Sequence, residues 1–303
     1  ELSQIIKKTR PDLNVGIAYI PENLRLGEAI SRFYKPEMPV IGTNETWVFD
    51  ILKKVLKFEG ISWFQVDVKT AEMSKHALNT FLATSITFAN ELGSLCDKVG
   101  ADGLELAKIL RLEPRIGPKA MLMPGLGFSG GTLARDTQVL LNIGKKNNIK
   151  TPFFDGLWKA NIQYNQIVFN VLSNEFNTLK NLKICILGLT YKPNTSTLRR
   201  SIAIATIKTL FLKGALISAY DPMANKEEIE EENNFSFFDD PYDAVKSSNV
   251  VVIMTGWKEF KNLDYKLIKS LMNGNYILDT NNMLDFKLIE KIGFKYKCIG
   301  RGK

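Results

Sequence analysis

The sequence predicts an α/β fold with a helical middle, and three observations carry that prediction. From residue 176 onward, apolar runs of strand length (183–187, 215–220, 250–254 and 276–279) alternate with helical stretches. Strands that are apolar at nearly every position, rather than at alternate ones, belong to parallel sheets covered on both faces. Residues 70–99 form one long run with helical spacing and few breakers, stopping at Gly100. The composition, 45% apolar and 24% charged over 303 residues, is that of a globular chain long enough to build more than one core.

The first 67 residues mix both textures. Leu2, Ile5 and Ile6 mark a half-helix, residues 15–20 read as a short buried strand closed by Pro21, and residues 39–42 as another. Residues 45–58 place Val48, Ile51, Leu52, Val55 and Leu56 at helical spacing, and residues 62–68 are strand-like. So few strands do not close a sheet, and residues 1–67 are expected to be the C-terminal part of a larger α/β domain. In the middle, residues 68–175, further helices are expected at 104–112, 135–145 and 155–172, around the glycine-rich loop Pro124-Gly-Leu-Gly-Phe-Ser-Gly-Gly131. The polar stretch 174–181 marks the next boundary. Beyond it, in residues 176–303, helices at 202–213 (stopped by Gly214), 227–232 and 265–271 alternate with the apolar strands, which implies a doubly wound parallel sheet. The acidic run 227–232 reads as a solvated helix face.

Charge and cysteine content narrow the function classes. Lys+Arg number 40 against 32 Asp+Glu, for a net charge of +8. The lysines are scattered among acids, as in Lys7-Lys8, Lys53-Lys54 and Lys145-Lys146, without a basic stripe interleaved with aromatics. That pattern suits a mild attraction for anionic small molecules, with no nucleic-acid partner expected. No apolar run approaches the ~18 residues of a membrane span, and no basic segment followed by an apolar one marks a secretory signal. Cys96, Cys185 and Cys298 cannot pair completely and lack metal-ligand spacing, so a reduced, cytoplasmic compartment and no metal site are expected.

A few positions carry chemistry. Lys75 and Asn79 lie four apart on the long predicted helix and share a face. A lysine there can polarise an alcohol or place a water, although a solvent-facing lysine satisfies the spacing as well. His76, the only histidine, has no partner motif and reads as structural. The loop at 125–131 lets backbone N–H groups approach a ligand, with Thr132, Arg135 and Asp136 directly behind it. Glu22 follows Pro21 at a predicted strand end, where ligands gather in α/β sheets. The turn after the strand 183–187 has the single glycine Gly188 where a dinucleotide fingerprint carries three. Tyr191, Lys192 and Arg199 would grip a nucleotide or phosphate there through side chains.

Taken in order along the chain, these segments resemble one family. Ile20-Pro-Glu-Asn-Leu-Arg-Leu-Gly-Glu-Ala29 resembles the Pro-Glu-x-Leu-x-x-Gly segment of the UDP-glucose/GDP-mannose dehydrogenase family. Ala71-Glu-Met-Ser-Lys-His-Ala-Leu-Asn-Thr-Phe-Leu82 is similar to its central helix. Arg115-Ile-Gly117 and residues 124–136 are similar to its catalytic loop, and residues 188–199, Tyr220-Asp-Pro222 and Cys298-Ile-Gly-Arg-Gly302 to its C-terminal domain. The resemblance implies the remnant of an N-terminal Rossmann domain for NAD, a central helical domain that makes a homodimer, and a C-terminal α/β domain that binds a UDP-sugar. It implies oxidation of the sugar C6 alcohol by NAD, with Glu22, Lys75, Asn79, Thr132 and Asp136 at catalytic positions. Leu24, Arg115, Phe128, Gly130, Gly131 and Lys192 match substrate-binding positions, and Arg199 a cofactor-binding one.

The departures are as informative. The family's Gly-Gly-x-Cys-x-Pro-Lys-Asp loop reads Gly130-Gly-Thr-Leu-Ala-Arg-Asp136 here, so Thr132 stands where the family has its nucleophilic cysteine. A threonine hydroxyl without an adjacent base is a far poorer nucleophile than a thiolate, so a covalent thiohemiacetal is not expected. Leu26 replaces a second family glutamate, Asn281 an arginine, and Thr197-Leu-Arg-Arg-Ser201 the family's Asp-x-Arg-Glu-Ser. Three readings follow. The chain is a divergent dehydrogenase that stops at the aldehyde or hydrates it by direct water attack, or a non-catalytic nucleotide-sugar-binding relative. The third is another NAD-linked enzyme of the 3-hydroxyacid or 6-phosphogluconate dehydrogenase type. With the fingerprint glycines absent from these residues, NAD is expected to bind this chain poorly.

Overall fold

The computed structural model describes residues 2–22, 29–58, 60–129 and 131–302. They form two compact units, Glu1–Asn79 and Thr80–Lys303.

The first unit is built on a small parallel pair, β1 (Val40–Gly42) and β2 (Phe64–Val66), joined by the helix Thr46–Val55. Ile41 is fully buried at its centre, and Gly42 is required by close packing: a Cβ there would lie 2.4 Å from that of Ala71. The helices Leu2–Thr9 and Ala29–Tyr34 complete the unit, together with the first turns of the helix Val68–Val99. The expected buried strand at 15–20 does not form. Only Tyr19 bridges Gly42, by reciprocal N–H···O bonds of 2.8 Å. Gly16 instead lies against Trp47 and Val48, where a Cβ would come within 2.0 Å of Val48 Cγ2. Packing on a helix holds this segment, so ladder pairing ends after one residue.

In the second unit the helices Gly103–Leu112, Leu133–Lys146, Pro152–Tyr164 and Ile167–Glu175 follow the long helix. Asp102 caps the first of these by accepting from Leu104 N and Glu105 N. The single helix expected over 155–172 is broken at Asn165–Gln166, where the last turn tightens and Gln166 N bonds back to Gln163 O.

The C-terminal part is the doubly wound sheet that the apolar runs predict. Its strands are β3 (Lys183–Leu187), β4 (Leu216–Tyr220), β5 (Ser236–Phe237), β6 (Val250–Ile253), β7 (Tyr276–Asp279) and β8 (Lys295–Cys298). They pair in the order β5-β4-β3-β6-β7-β8, parallel throughout. Alternate residues serve opposite cores: Ile184, Ile186, Val250 and Val252 pack under the helix Ile202–Leu212, while Cys185, Leu187, Val251 and Ile253 meet Ile268 and Ile289 on the other face. Both faces are covered, which is why these strands show no in–out alternation.

The acidic run is exposed at Glu227, Glu230 and Glu231, as a solvated face requires, but not throughout. In the helix Lys226–Glu230, Glu228 turns inward and accepts from Leu198 N (2.5 Å) and Thr197 Oγ1 (3.2 Å), tying down the loop after β3. Beyond that helix, Glu232 pairs with Lys208 at 2.9 Å. No helix among the described residues is long and apolar enough to cross a membrane.

Candidate active site and nucleotide cleft

Strand order reverses between β3 and β6, and in open α/β sheets ligands bind beyond the C-terminal ends of the strands at such a point. Here that edge is organised by a buried carboxylate. Asp221, 4% exposed just after β4, accepts on Oδ2 from Leu189 N (2.7 Å), Thr190 N (3.0 Å), Thr190 Oγ1 (3.0 Å) and Trp257 Nε1 (3.0 Å), and on Oδ1 from Met223 N (2.9 Å). Gly188 turns the chain at φ +94° against Thr255, whose hydroxyl donates to Thr190 O at 2.6 Å. Ser201 Oγ closes the far side by donating to Leu189 O at 2.6 Å. The turn is therefore rigid where it leaves the sheet. Tyr191 and Lys192 follow, half-buried, with the ammonium 5.8 Å from the tyrosine ring centre. Burial raises the Tyr191 phenol above its usual value, so the hydroxyl stays a donor. Arg199 is 87% exposed, 3.8 Å from Glu228.

In the first unit the structure joins two residues that are 53 apart in sequence. Lys75 Nζ donates to Glu22 Oε2 at 3.2 Å, with the lysine side chain only 16% exposed and the glutamate 54%. Lys75 is therefore not the solvent-facing lysine that spacing alone allowed. Asn79 follows one turn later on the same helix, 6% exposed. The helix is started by Asp67, which accepts from Thr70 N and Thr70 Oγ1 and so sets the register that puts Lys75 and Asn79 on one face.

In the second unit, Thr132 occupies the N-cap position of the helix Leu133–Lys146 but makes no side-chain cap bond, and its side chain is exposed. Asp136, one turn on, is fully buried and receives Arg135 Nε at 3.3 Å. Gly131 precedes Thr132 with no atom within 4 Å of a would-be Cβ. Phe128 turns its ring into the core formed with Ala83 and Leu157, beside Trp158. Its backbone faces Asn161, which accepts from Phe128 N at 2.7 Å and donates to Phe128 O at 2.9 Å. Arg115 stands apart, 87% exposed and paired with Glu113 at 2.8 Å. Leu24, Leu26 and Gly130 lie outside the described residues.

Cys96, Cys185 and Cys298 are all buried, and burial pushes the Cys185 thiol up to about 12 and the Cys298 thiol up to about 11. Among the described residues no cluster of His, Cys, Asp or Glu could hold a metal ion.

Two family models match the chain: "UDP-glucose/GDP-mannose dehydrogenase family, central domain" over residues 69–165, and the same family's "UDP binding domain" over residues 185–286. A UDP-glucose 6-dehydrogenase of Rickettsia bellii is 37% identical over 290 residues, covering 94% of this chain and 67% of the relative. The chain belongs to the UDP-glucose/GDP-mannose dehydrogenase family. The enzyme of the same name from Rickettsia conorii is 36% identical over 288 residues, 94% of this chain and 66% of its own length. A solved UDP-glucose dehydrogenase from Pyrobaculum islandicum superposes with a TM-score of 0.85 at 27% identity, over 92% of this chain and 63% of that one. The chain thus spans about two thirds of the length of the family members it matches.

The sequence reading missed the residues that build the site from behind. Asp221 lay inside a quoted motif, but no role was assigned to it. Asn90 lies in Phe88-Ala-Asn-Glu91, a segment that resembles the family's central helix, whereas nothing local in the sequence singles out Asn161; both are buried amides.

Proposed function

We propose that this chain carries the central and nucleotide-sugar-binding parts of a UDP-sugar dehydrogenase, organised as 1–67, 68–175 and 176–303, which oxidises the sugar C6 alcohol once. The observation that carries the reading is the Lys75–Glu22 pair, with Asn79 one turn behind it, in a chain of this family. A shielded ammonium held by a carboxylate can donate to the oxygen that gains negative charge as an alcohol becomes an aldehyde. Glu22, more exposed, can accept the alcohol proton or pass it to water. By family position Asn79 holds that water, and Asp136, buried in the second unit, is a further catalytic position. Lys192 and Arg199, beside the rigid turn at Gly188, supply positive charge for the diphosphate, and Arg115, Phe128, Gly131, Gly130 and Leu24 line the sugar's path by family position.

NAD, when bound, supplies the hydride acceptor. Neither Gly42 nor Gly188 offers its pyrophosphate a cradle: the open side of Gly42 is filled by Ala71 and that of Gly188 by Thr255, so neither leaves room for a phosphate against bare backbone. Of this chain's residues, Arg199 is assigned to it. With Thr132 in place of a thiol the product is the aldehyde or its hydrate, with no covalent sugar–enzyme intermediate. Exposed Phe81, Phe88 and Leu95 recur at intervals of seven along the helix Val68–Val99, and this stripe supports a homodimer through that helix. Three buried, unpaired cysteines support a cytoplasmic location.

The reading is tested by titrating the chain with UDP-glucose in a calorimeter and by measuring NADH formed per sugar, with NAD+ present, by the chain joined to a complete NAD-binding domain. Saturable binding and one NADH per sugar are expected. Two NADH per sugar would refute the single oxidation, and no UDP-sugar binding would refute the whole reading. Tight binding with no NADH would instead select the non-catalytic relative, which Thr132 also favours.

A further inference from the structure

The glycine-rich loop is held at five backbone groups by three asparagine side chains. Asn90 accepts from Gly125 N at 2.9 Å and donates to Leu126 O at 3.1 Å. Asn161 does the same for both groups of Phe128, at 2.7 and 2.9 Å. Asn282 donates to Pro124 O at 2.9 Å. Asn90 and Asn161 are 1% and 2% exposed. A primary amide carries a donor and an acceptor side by side, so it can pair with a peptide's N–H and C=O as a neighbouring strand would. It does so here for a loop that lies in no sheet.

The fit is close as well as polar. A Cβ on Gly127 would sit 2.6 Å from Asn161 Oδ1 and 2.5 Å from Asn165 Oδ1, so only glycine lets the loop reach its clamp. Asn282 adds a link of another kind. It stands shortly after β7, at the C-terminal edge of the sheet where the nucleotide cleft lies, in a left-handed conformation (φ +53°). Next to it, Asn281 donates to Ile253 O at the end of β6. The loop is therefore tied at one end to the helices and at the other to the switch-point edge.

We propose that Asn90 and Asn161 are positioning residues that fix the backbone leading into Thr132, and that Asn282 couples this loop to the nucleotide end of the sheet. None of the three touches the reacting position; each acts through the loop. What the centre does chemically rests on the dehydrogenase reading above, but the clamp is tested without turnover.

The reporter is a Thr132→Cys chain, whose new thiol is exposed at a helix N-terminus while the native cysteines are buried. Its alkylation by iodoacetamide is followed against pH, alone and combined with Asn161→Ala, Asn90→Ala or Asn161→Asp, alongside amide hydrogen exchange. The reporter alone should titrate below the ordinary thiol value of ~8.5. Asn161→Ala and Asn90→Ala should return the profile toward that value, slowing alkylation at pH 7 roughly threefold, the factor for half a pKa unit. Exchange across 125–131 should rise at least tenfold while β3 and β6 keep their protection. Asn161→Asp keeps the acceptor for Phe128 N but loses the donor to Phe128 O, and should fall between. An unchanged profile, or a rise in exchange that is uniform across the chain, overturns the proposal. Failure of the parent chain to bind UDP-glucose would sink the dehydrogenase reading while leaving both of these results decisive for the clamp.

Discussion

Replacing Asp221 tests whether one buried carboxylate sets the shape of the nucleotide edge. Asp221→Ala removes the acceptor for Leu189 N, Thr190 N, Thr190 Oγ1, Trp257 Nε1 and Met223 N together. A hydrogen bond to a charged group contributes about 1.5–3 kcal/mol, but these bonds act as one network and water can enter the space vacated, so a straight sum overstates the loss. We expect about 3–5 kcal/mol, roughly the worth of two hydrogen bonds to a charged group. Asp221→Asn is the sharper variant. With its carbonyl oxygen placed at Oδ2 it keeps four of the five donors and sets an N–H against Met223 N, which costs about 1–3 kcal/mol. Urea unfolding followed by circular dichroism gives both values, and each kcal/mol corresponds to roughly 2–4 °C in Tm for a chain of this size. The reasoning fails if Asp221→Ala changes stability by less than about 0.5 kcal/mol, or if the asparagine variant is as damaged as the alanine one.

Other expectations follow from the same geometry. Gly188→Ala puts a Cβ 2.5 Å from that of Thr255 at φ +94°, so it should lower stability by roughly 1–3 kcal/mol and weaken UDP-glucose binding, both read by denaturation and calorimetry. With the chain joined to a complete NAD-binding domain, Lys75→Ala should lower NADH formation at least ~100-fold with UDP-glucose affinity little changed, since the ammonium acts on the developing oxyanion; retained turnover would remove it from the mechanism. Phe88→Glu places a charge in the middle of the exposed stripe and should shift sedimentation from dimer to monomer. Desolvation tends to raise the Asp102 carboxyl, but the capping N–H groups of Glu105 and Leu104 and the Arg301 guanidinium outweigh it and hold the group below its usual value. A folded-state pKa below the unfolded one of ~3.9 gives stability that is present above that pH and lost as pH falls through the folded value. Asp102→Asn should therefore flatten the acid limb of the stability–pH curve below about pH 4.

What could be read from the sequence depended on how each element is stabilised. The strands β3, β6 and β7 were legible because they are buried on both faces, and that requirement writes itself as unbroken apolar runs. The two-residue β5 and the five-residue helix Pro241–Val245 were not, because neither is long enough to show a period. Residues 15–20 had a strand's composition, but Gly16 lies against Trp47 and Val48 while Val15 and Ile20 stay exposed, a tertiary arrangement that no local pattern encodes. In the site, Lys75 and Asn79 could be placed on one face from spacing. The pairing of Lys75 with Glu22 could not, since the 53-residue separation is closed only by the fold. The asparagine clamps were invisible for a related reason: an amide on a helix looks the same whether it faces water or a loop.

The strand order has a consequence for how this sheet assembles. Ile184 in β3 pairs with Val250 in β6, a separation of 66 residues, whereas β3 and β4 pair across 33 and β6 and β7 across 26. Closing the longer loop is entropically slower, so β3–β4–β5 and β6–β7–β8 can each gather before the seam between them joins. That seam is the switch point, the edge at which α/β sheets take ligands and where the UDP-sugar is proposed to sit. A ligand bound there grips both halves, so nucleotide occupancy should slow unfolding at the one join on which the whole sheet depends.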